Sequence, residues 1–271
     1  MASRERASSV RPPAVAGRFY PANPQTLRSE VEALLAAAPS YAGSRPAALI
    51  APHAGYIYSG KVAATAFAAL RETAGSISRV VLIGPAHYVA FRGVALATAD
   101  AFETPLGRVA LDRGAIAGLR DLPFLVEADA PHAPEHALEV ELPFLQRLLG
   151  GFALVPLLVG DATPQQVAEV LARLWDGPRT LVVISSDLSH YHDYETAQRL
   201  DLATAVLIER GAWSELRSGN ACGFLPVAGS LIEAVRRGLK AQRLALTNSG
   251  DTAGDRTSVV GYGAWALAAS P

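Results

Sequence analysis

The 271-residue sequence predicts an α/β fold: a three-layer α/β/α sandwich around a mixed, mostly parallel central sheet. Three observations carry this. The runs ALIAPHAGYIYSG (47–60), RVVLIGPAHY (79–88) and TLVVISSDLSHYH (180–192) each open on a short, unbroken apolar stretch. Strands buried on both faces read that way, whereas half-exposed strands alternate. Segments with helical spacing separate the runs, so the strands join by crossovers and lie parallel. Each run also breaks off into small or turn-forming residues followed closely by histidine, and in open α/β sheets the crevice outside the carboxyl ends of the strands is where ligands bind.

The elements follow in chain order. Residues 1–12 read as a loose arm and 13–271 as a single domain. The spacing predicts a helix over 25–37, with Leu27, Val31, Leu34 and Leu35 on one face. A strand over 47–51, an alanine-rich helix over about 60–73 and a strand over 79–84 come next. Residues 93–111 contain two short strand-like stretches around a Pro-Leu-Gly turn, read as an antiparallel excursion that makes the sheet mixed. A helix is expected over 134–149, with Pro134 in its first position and Glu135 in its first turn. A strand over 153–159 precedes a helix over 163–175, where Val167, Val170, Leu171 and Leu174 form an apolar stripe. A strand over 180–184, a helix over 194–209 capped by Asp193, a helix near 226–238 and strands over 242–247 and 257–267 complete the reading.

Composition narrows the function. Net charge is −1, only Lys61 and Lys240 are lysines, and the arginines are scattered among acids, so no basic footprint for nucleic acid or an anionic membrane is present. No stretch approaches the ~20 apolar residues of a membrane span, and the polar MASRERASSVRPP start has no signal-type apolar segment. The single Cys222 cannot form an internal disulfide, which leads to a cytoplasmic expectation.

The polar residues after the strands are the candidate site. Pro52 cannot donate to a sheet ladder, so the first strand ends there and His53 follows in the loop, with Tyr56 close behind. His87 follows Gly84-Pro85-Ala86 in the same kind of position. Each of these histidines could instead cap a strand end. SSDLSHYHDY (185–194) is the densest polar cluster. There Asp187 and His190 are three apart, a spacing that places both on one face of a short helical turn and suits an acid/base histidine oriented by a carboxylate. The other reading of Asp187 is a loop-stabilising turn. PHAPEHALEVELPFL (131–145) contributes Glu135 and His136, read as supporting the site or contacting substrate, or else as a charged helix face. Asp251 and Asp255 follow a late apolar strand in NSGDTAGDRT, or sit in a polar hairpin turn. Cys222 precedes a helix, where it is either a substrate contact or a buried inert thiol.

Seven motifs together resemble one family: AGRFYP (16–21), PHAGYIYSG (52–60), GPAHY (84–88), EHALEVELPFL (135–145), SSDLSHY (185–191), ACG (221–223) and SGDTAGDRTSVVGY (249–262). Their order, from about Val10 to the end, is similar to that of the Memo family, including members called AmmeMemoRadiSam system protein B. The resemblance implies a fold like that of the class III extradiol dioxygenases, in which two histidines and a carboxylate hold Fe(II). It implies His53 and His87 as metal ligands and His190, beside Asp187, as the acid/base pair. No cysteine stands in the late segment where the resemblance would put one, and Cys222 lies in another motif. Asp251 is therefore the expected third ligand, with Asp255 and Asp187 as rivals; a carboxylate there favours Fe(II) or Mn over softer metals.

The expected function is a non-haem iron oxidoreductase of dioxygenase type. The alternative is a non-catalytic module that uses the same pocket to recognise a small molecule or a partner, for which the family name implies an AMMECR-type protein and a radical S-adenosylmethionine enzyme. A zinc hydrolase is a third possibility, since the same ligands can activate water.

Overall fold

The structure is a computed structural model and describes residues 9–270. Along the chain lie β1 (Val10–Arg11), α1 (Pro24–Ala37), β2 (Ala48–Ala51), α2 (Tyr56–Ala68), β3 (Arg79–Pro85), β4 (Val94–Leu96), β5 (Ala101–Thr104), β6 (Gly107–Ala110), α3 (Arg113–Ala117) and β7 (Leu125–Glu127). They are followed by α4 (Leu142–Leu149), β8 (Ala153–Val159), α5 (Pro164–Leu174), β9 (Thr180–Ser185), β10 (His190–His192), α6 (Tyr194–Glu209), α7 (Phe224–Arg236), β11 (Leu239–Asn248) and β12 (Val259–Ala269).

Nine of the strands form one mixed sheet. At its centre β2, β9, β3 and β8 lie side by side and parallel. β12 flanks β2 antiparallel, and β10 and β11 both pair with β12. On the other flank β4 pairs antiparallel with β8, and β7 pairs parallel with β4. The central strands are buried end to end, which is why their sequences run apolar without alternation. β1, β5 and β6 form a separate three-stranded sheet. The 93–111 excursion thus splits: β4 joins the main sheet and the β5–β6 hairpin leaves it.

Helices complete the core. α5 packs on α7, which reaches β3 and β9, while α2 packs on α1, β2, β11 and β12. Trp265, Tyr262, Phe67 and Phe144 are fully buried, with Phe67 stacked on Phe144 at 5.3 Å. Caps agree with the local chemistry: Asp193 Oδ1 accepts from Thr196 N–H at the start of α6, and Thr163 forms a reciprocal capping box with Gln166 on α5. No described helix is long and apolar enough to cross a membrane.

Two expectations change. The predicted arm lies outside the described residues as far as residue 8, but Val10 and Arg11 pair with β5 and Arg11 is buried. The helix expected over 134–149 begins only at Leu142, after a 3-10 turn at Glu139–Glu141; residues 131–138 are turns. The Glu135 carboxylate accounts for this. It accepts from the N–H groups of His136, Ala137 and His87, so it serves a loop in place of a first helical turn.

Candidate metal centre

β2 and β3 flank β9, and all three end at the same edge of the sheet. Ala51 pairs with Ser185, so His53, two residues beyond, comes down beside the end of β9. Its backbone N–H donates to Asp187 Oδ1 at 2.8 Å, and its ring Nδ1 lies 2.7 Å from Ser185 Oγ. The ring is buried, with 1% exposure.

His87 leaves β3 through Gly84-Pro85-Ala86. A Cβ on Gly84 would stand 3.1 Å from Leu138 Cδ2 and 3.4 Å from both Ala137 Cβ and Ser185 Cβ, so glycine lets the 137–138 loop lie directly on the strand end. Glu135 grips His87 twice, at the backbone N–H (2.6 Å) and at ring Nδ1 (2.9 Å). The same loop delivers His136, whose Nδ1 lies 3.2 Å from Tyr88 Oη and 3.2 Å from Glu135 Oε1. The Phe19 ring packs 4.8 Å from the His136 ring.

His53, His87 and His136 therefore meet. One ring nitrogen from each lies within 4.8 Å of the others, and the ring centroids are 5.2, 5.3 and 4.7 Å apart. Burial, reinforced by the His87 ring, pulls His53 down to about 3, and burial with the His53 ring beside it pulls His136 down to about 4. Both are neutral at pH 7, as metal ligands must be. Burial would raise the Glu135 carboxyl, but the hydrogen bonds from His87 and from the Ala137 N–H hold it at about 2, so it stays ionised.

The donor chemistry fits a divalent metal. In each imidazole Nδ1 has a protein partner, so Nε2 is the nitrogen left to face an ion, with the Cys222 thiol beside that of His53. A carboxylate behind the ring, as Glu135 is behind His87, is a usual support of a ligating histidine. Nitrogens bound to one ion at about 2.1 Å stand about 3–4 Å apart, a little closer than in this arrangement.

Cys222 also reaches this point, with Sγ 3.3 Å from His53 Nε2. The late segment holds no cysteine, and the sulfur at this edge belongs to the ACG motif. Gly223 makes the approach possible: a Cβ there would sit 2.7 Å from Ser186 Cβ and 2.9 Å from Ser185 O. Burial pushes the Cys222 thiol up to about 12, with the Asp187 carboxylate adding to the effect.

Other candidates fall elsewhere. Asp251, the expected third ligand, is not in the histidine group; its carboxylate accepts from Tyr194 Oη (2.7 Å) and Thr247 Oγ1 (2.9 Å) and faces Arg256. Asp255 caps the N–H and hydroxyl of Thr257 in an exposed turn. Tyr56 is a core residue whose phenol donates to the Val140 carbonyl. Asp187 and His190 do not share a helical turn, because residues 186–189 form no helix between β9 and β10. His190 Nδ1 bonds the Leu188 carbonyl at 2.8 Å, leaving Nε2 free, while Asp187 faces His53. Just after His190 the backbone is strained: Tyr191 has φ 62° and is 78% exposed.

Four supporting residues were not among the expected site residues, although Ser185, Glu139 and Glu141 stand in the polar clusters of the sequence. Ser185 and Glu141 lie behind His53, and Arg11 and Glu139 brace the 131–141 loop from below. Glu139 and Glu141 alternate with apolar residues in ALEVELPFL, a spacing that places acids among core positions.

Comparison with known proteins now adds to the geometry. A family model described as "Memo-like protein" matches residues 11–266. The chain belongs to the Memo family. It is 36% identical over 278 residues to a "MEMO1 family protein" of Sulfolobus acidocaldarius, covering 93% of this chain and 97% of that protein. A relative of the same description in Ignicoccus hospitalis is 37% identical over 280 residues, covering 94% and 97%. One from Aeropyrum pernix is 36% identical over 279 residues, covering 93% and 98%. The segments EHALEVEL, SSD and ACG, all within the matched residues, supply His136, Asp187 and Cys222.

Proposed function

We propose that this Memo-family protein binds one divalent transition metal through His53, His87 and His136 and uses it in oxidoreductase chemistry of the dioxygenase type. The observation that carries the reading is the convergence of three imidazoles from separate loops, each backed at Nδ1 by a protein group. The three-layer sandwich and the kinship with class III extradiol dioxygenases belong to the same reading. Fe(II) is the metal that kinship suggests, and zinc is the rival that a thiol beside three imidazoles also suits.

A bound Fe(II) would supply open positions for oxygen and substrate. The chain's own residues do the rest. Glu135 orients His87 and His136. Asp187 holds the His53 backbone. His190, its Nδ1–H committed to Leu188, presents Nε2 as a proton acceptor at the same edge. The family link with an AMMECR-type protein and a radical S-adenosylmethionine enzyme suggests that the reaction serves those partners.

Anaerobic reconstitution with Fe(II), followed by gel filtration and metal analysis, should give about one iron per chain. His53→Ala, His87→Ala and His136→Ala should each remove it while the circular dichroism spectrum is kept. Zinc in place of iron in the purified protein would move the assignment to hydrolytic chemistry. Failure to retain any divalent metal at neutral pH would leave only a binding module.

A further inference from the structure

The Ser185 hydroxyl is the meeting point of three groups behind His53. Its Oγ lies 2.7 Å from His53 Nδ1, 2.6 Å from the Ala137 carbonyl oxygen and 3.1 Å from Glu141 Oε1. A serine hydroxyl has one proton to give and two lone pairs to receive with. The Ala137 carbonyl can only accept, and it is the nearest of the three, so the serine proton goes there. Oγ must then accept from both remaining groups. His53 consequently carries its proton on Nδ1, and Glu141 carries one on Oε1.

We propose that Glu141 is a permanently neutral acid whose O–H, acting through Ser185, fixes the tautomer and aim of His53 so that Nε2 faces the metal position. This assigns Glu141 and Ser185 as positioning residues, and it rests on the metal-binding reading for its functional meaning.

The surroundings agree with a neutral Glu141. Its side chain has no exposure, and Oε2 has no hydrogen-bond partner among the described residues. Ionisation would draw the serine proton toward Glu141, strand the Ala137 carbonyl and leave a bare anionic oxygen in the core, a heavy cost without a paired cation. The charged and polar neighbours offer no relief. Asp187 is itself a carboxyl, and the Tyr56 phenol donates to the Val140 carbonyl. Burial, with Asp187 adding to it, holds the Glu141 carboxyl well above the usual range. A carboxylate in this place would be an odd way to fill apolar space; a carboxylic acid O–H is what Ser185 requires.

The test compares Glu141→Gln, which keeps a donor of the same shape, with Glu141→Leu and Ser185→Ala, which remove the chain. In the metal-free protein, nitrogen NMR should find His53 protonated on Nδ1 in wild type and Glu141→Gln. An infrared difference between those two should show a protonated carboxylic-acid band in wild type that does not change from pH 6 to 8. Zn(II), used as a redox-silent probe, should bind Glu141→Gln within about threefold of wild type and bind Glu141→Leu and Ser185→Ala about 10–100-fold more weakly. An Nε2–H tautomer in wild type, absence of the acid band, or a Glu141→Gln loss as large as that of Glu141→Leu would overturn the proposal. Should Glu141→Leu fail to fold, wild type, Glu141→Gln and Ser185→Ala still decide. A wild type that takes up no zinc would sink the metal reading instead, and the two spectroscopic readouts would judge Glu141 independently.

Discussion

His53 and His136 are held neutral and Cys222 is held protonated, and these states set how metal uptake responds to pH. With the two imidazoles drawn to about 3 and 4, neither has a proton to lose above pH 5 when a metal arrives. The thiol, raised to about 12, would have to lose one. If the imidazoles alone bind, the zinc association constant should be flat between pH 7 and 8. If Cys222 joins as thiolate, the constant should rise about tenfold over that unit, since one proton is released per metal. We predict the second behaviour, because Sγ stands 3.3 Å from His53 Nε2, and Cys222→Ser should flatten the curve. A flat curve in wild type would remove the sulfur from the ligand set. At this scale the sequence was partly legible. His53 and His87 stand out because each follows a buried strand. His136 reads as a residue supporting the site or as a charged helix face, and its place among the imidazoles emerges only when Glu135 is seen to fold its loop onto His87; Cys222 reads as a substrate contact or an inert thiol, and only the tertiary fold brings it to His53.

Elements place these side chains by close approach at glycine. At Gly223 an added methyl group would collide with Ser186 Cβ at 2.7 Å and with the Ser185 carbonyl at 2.9 Å, atoms belonging to the end of β9 and not to a flexible tip. Gly223→Ala should therefore destabilise the fold by about 1–3 kcal/mol and shift Cys222 away from His53. The measurements are a urea melt and the pH dependence of zinc binding, which should then resemble that of Cys222→Ser. An alanine variant with wild-type stability and binding would show that α7 can slide without cost. The central strands and most helices were readable from the sequence because apolar runs and helical spacing are local properties, whereas the short β1, β7 and β10 were not. The 131–141 segment was not. Its helical spacing is real, but Glu135 and the acids at 139 and 141 are committed to tertiary partners, and those partners override the local preference.

The whole molecule is closed by its N-terminal segment. Arg11 pairs with buried Glu139 and donates to the carbonyls of His132 (2.9 Å) and Glu135 (2.5 Å). Glu139 also accepts from the N–H groups of Ala14 and Val15 and from the Tyr20 phenol. Residues 10–20 thereby clamp the loop that carries Glu135 and His136, with Phe19 on the His136 ring. Removing one partner of a buried pair costs about 3–5 kcal/mol. In a chain of this size each kcal/mol moves Tm by about 2–4 °C. Arg11→Met should therefore lower Tm by roughly 6–20 °C and weaken metal binding together with it. A stable variant with impaired binding would mean that the clamp acts on the site alone. No pattern in the first twenty residues announces this role, because Arg11 and Glu139 are linked only by the tertiary fold. The most direct test of the account is a crystal structure of iron-soaked protein with anomalous difference density collected at the iron edge. The account predicts a single peak about 2.0–2.3 Å from a ring nitrogen of each of His53, His87 and His136. No peak there, or a peak at Asp251 instead, would contradict it.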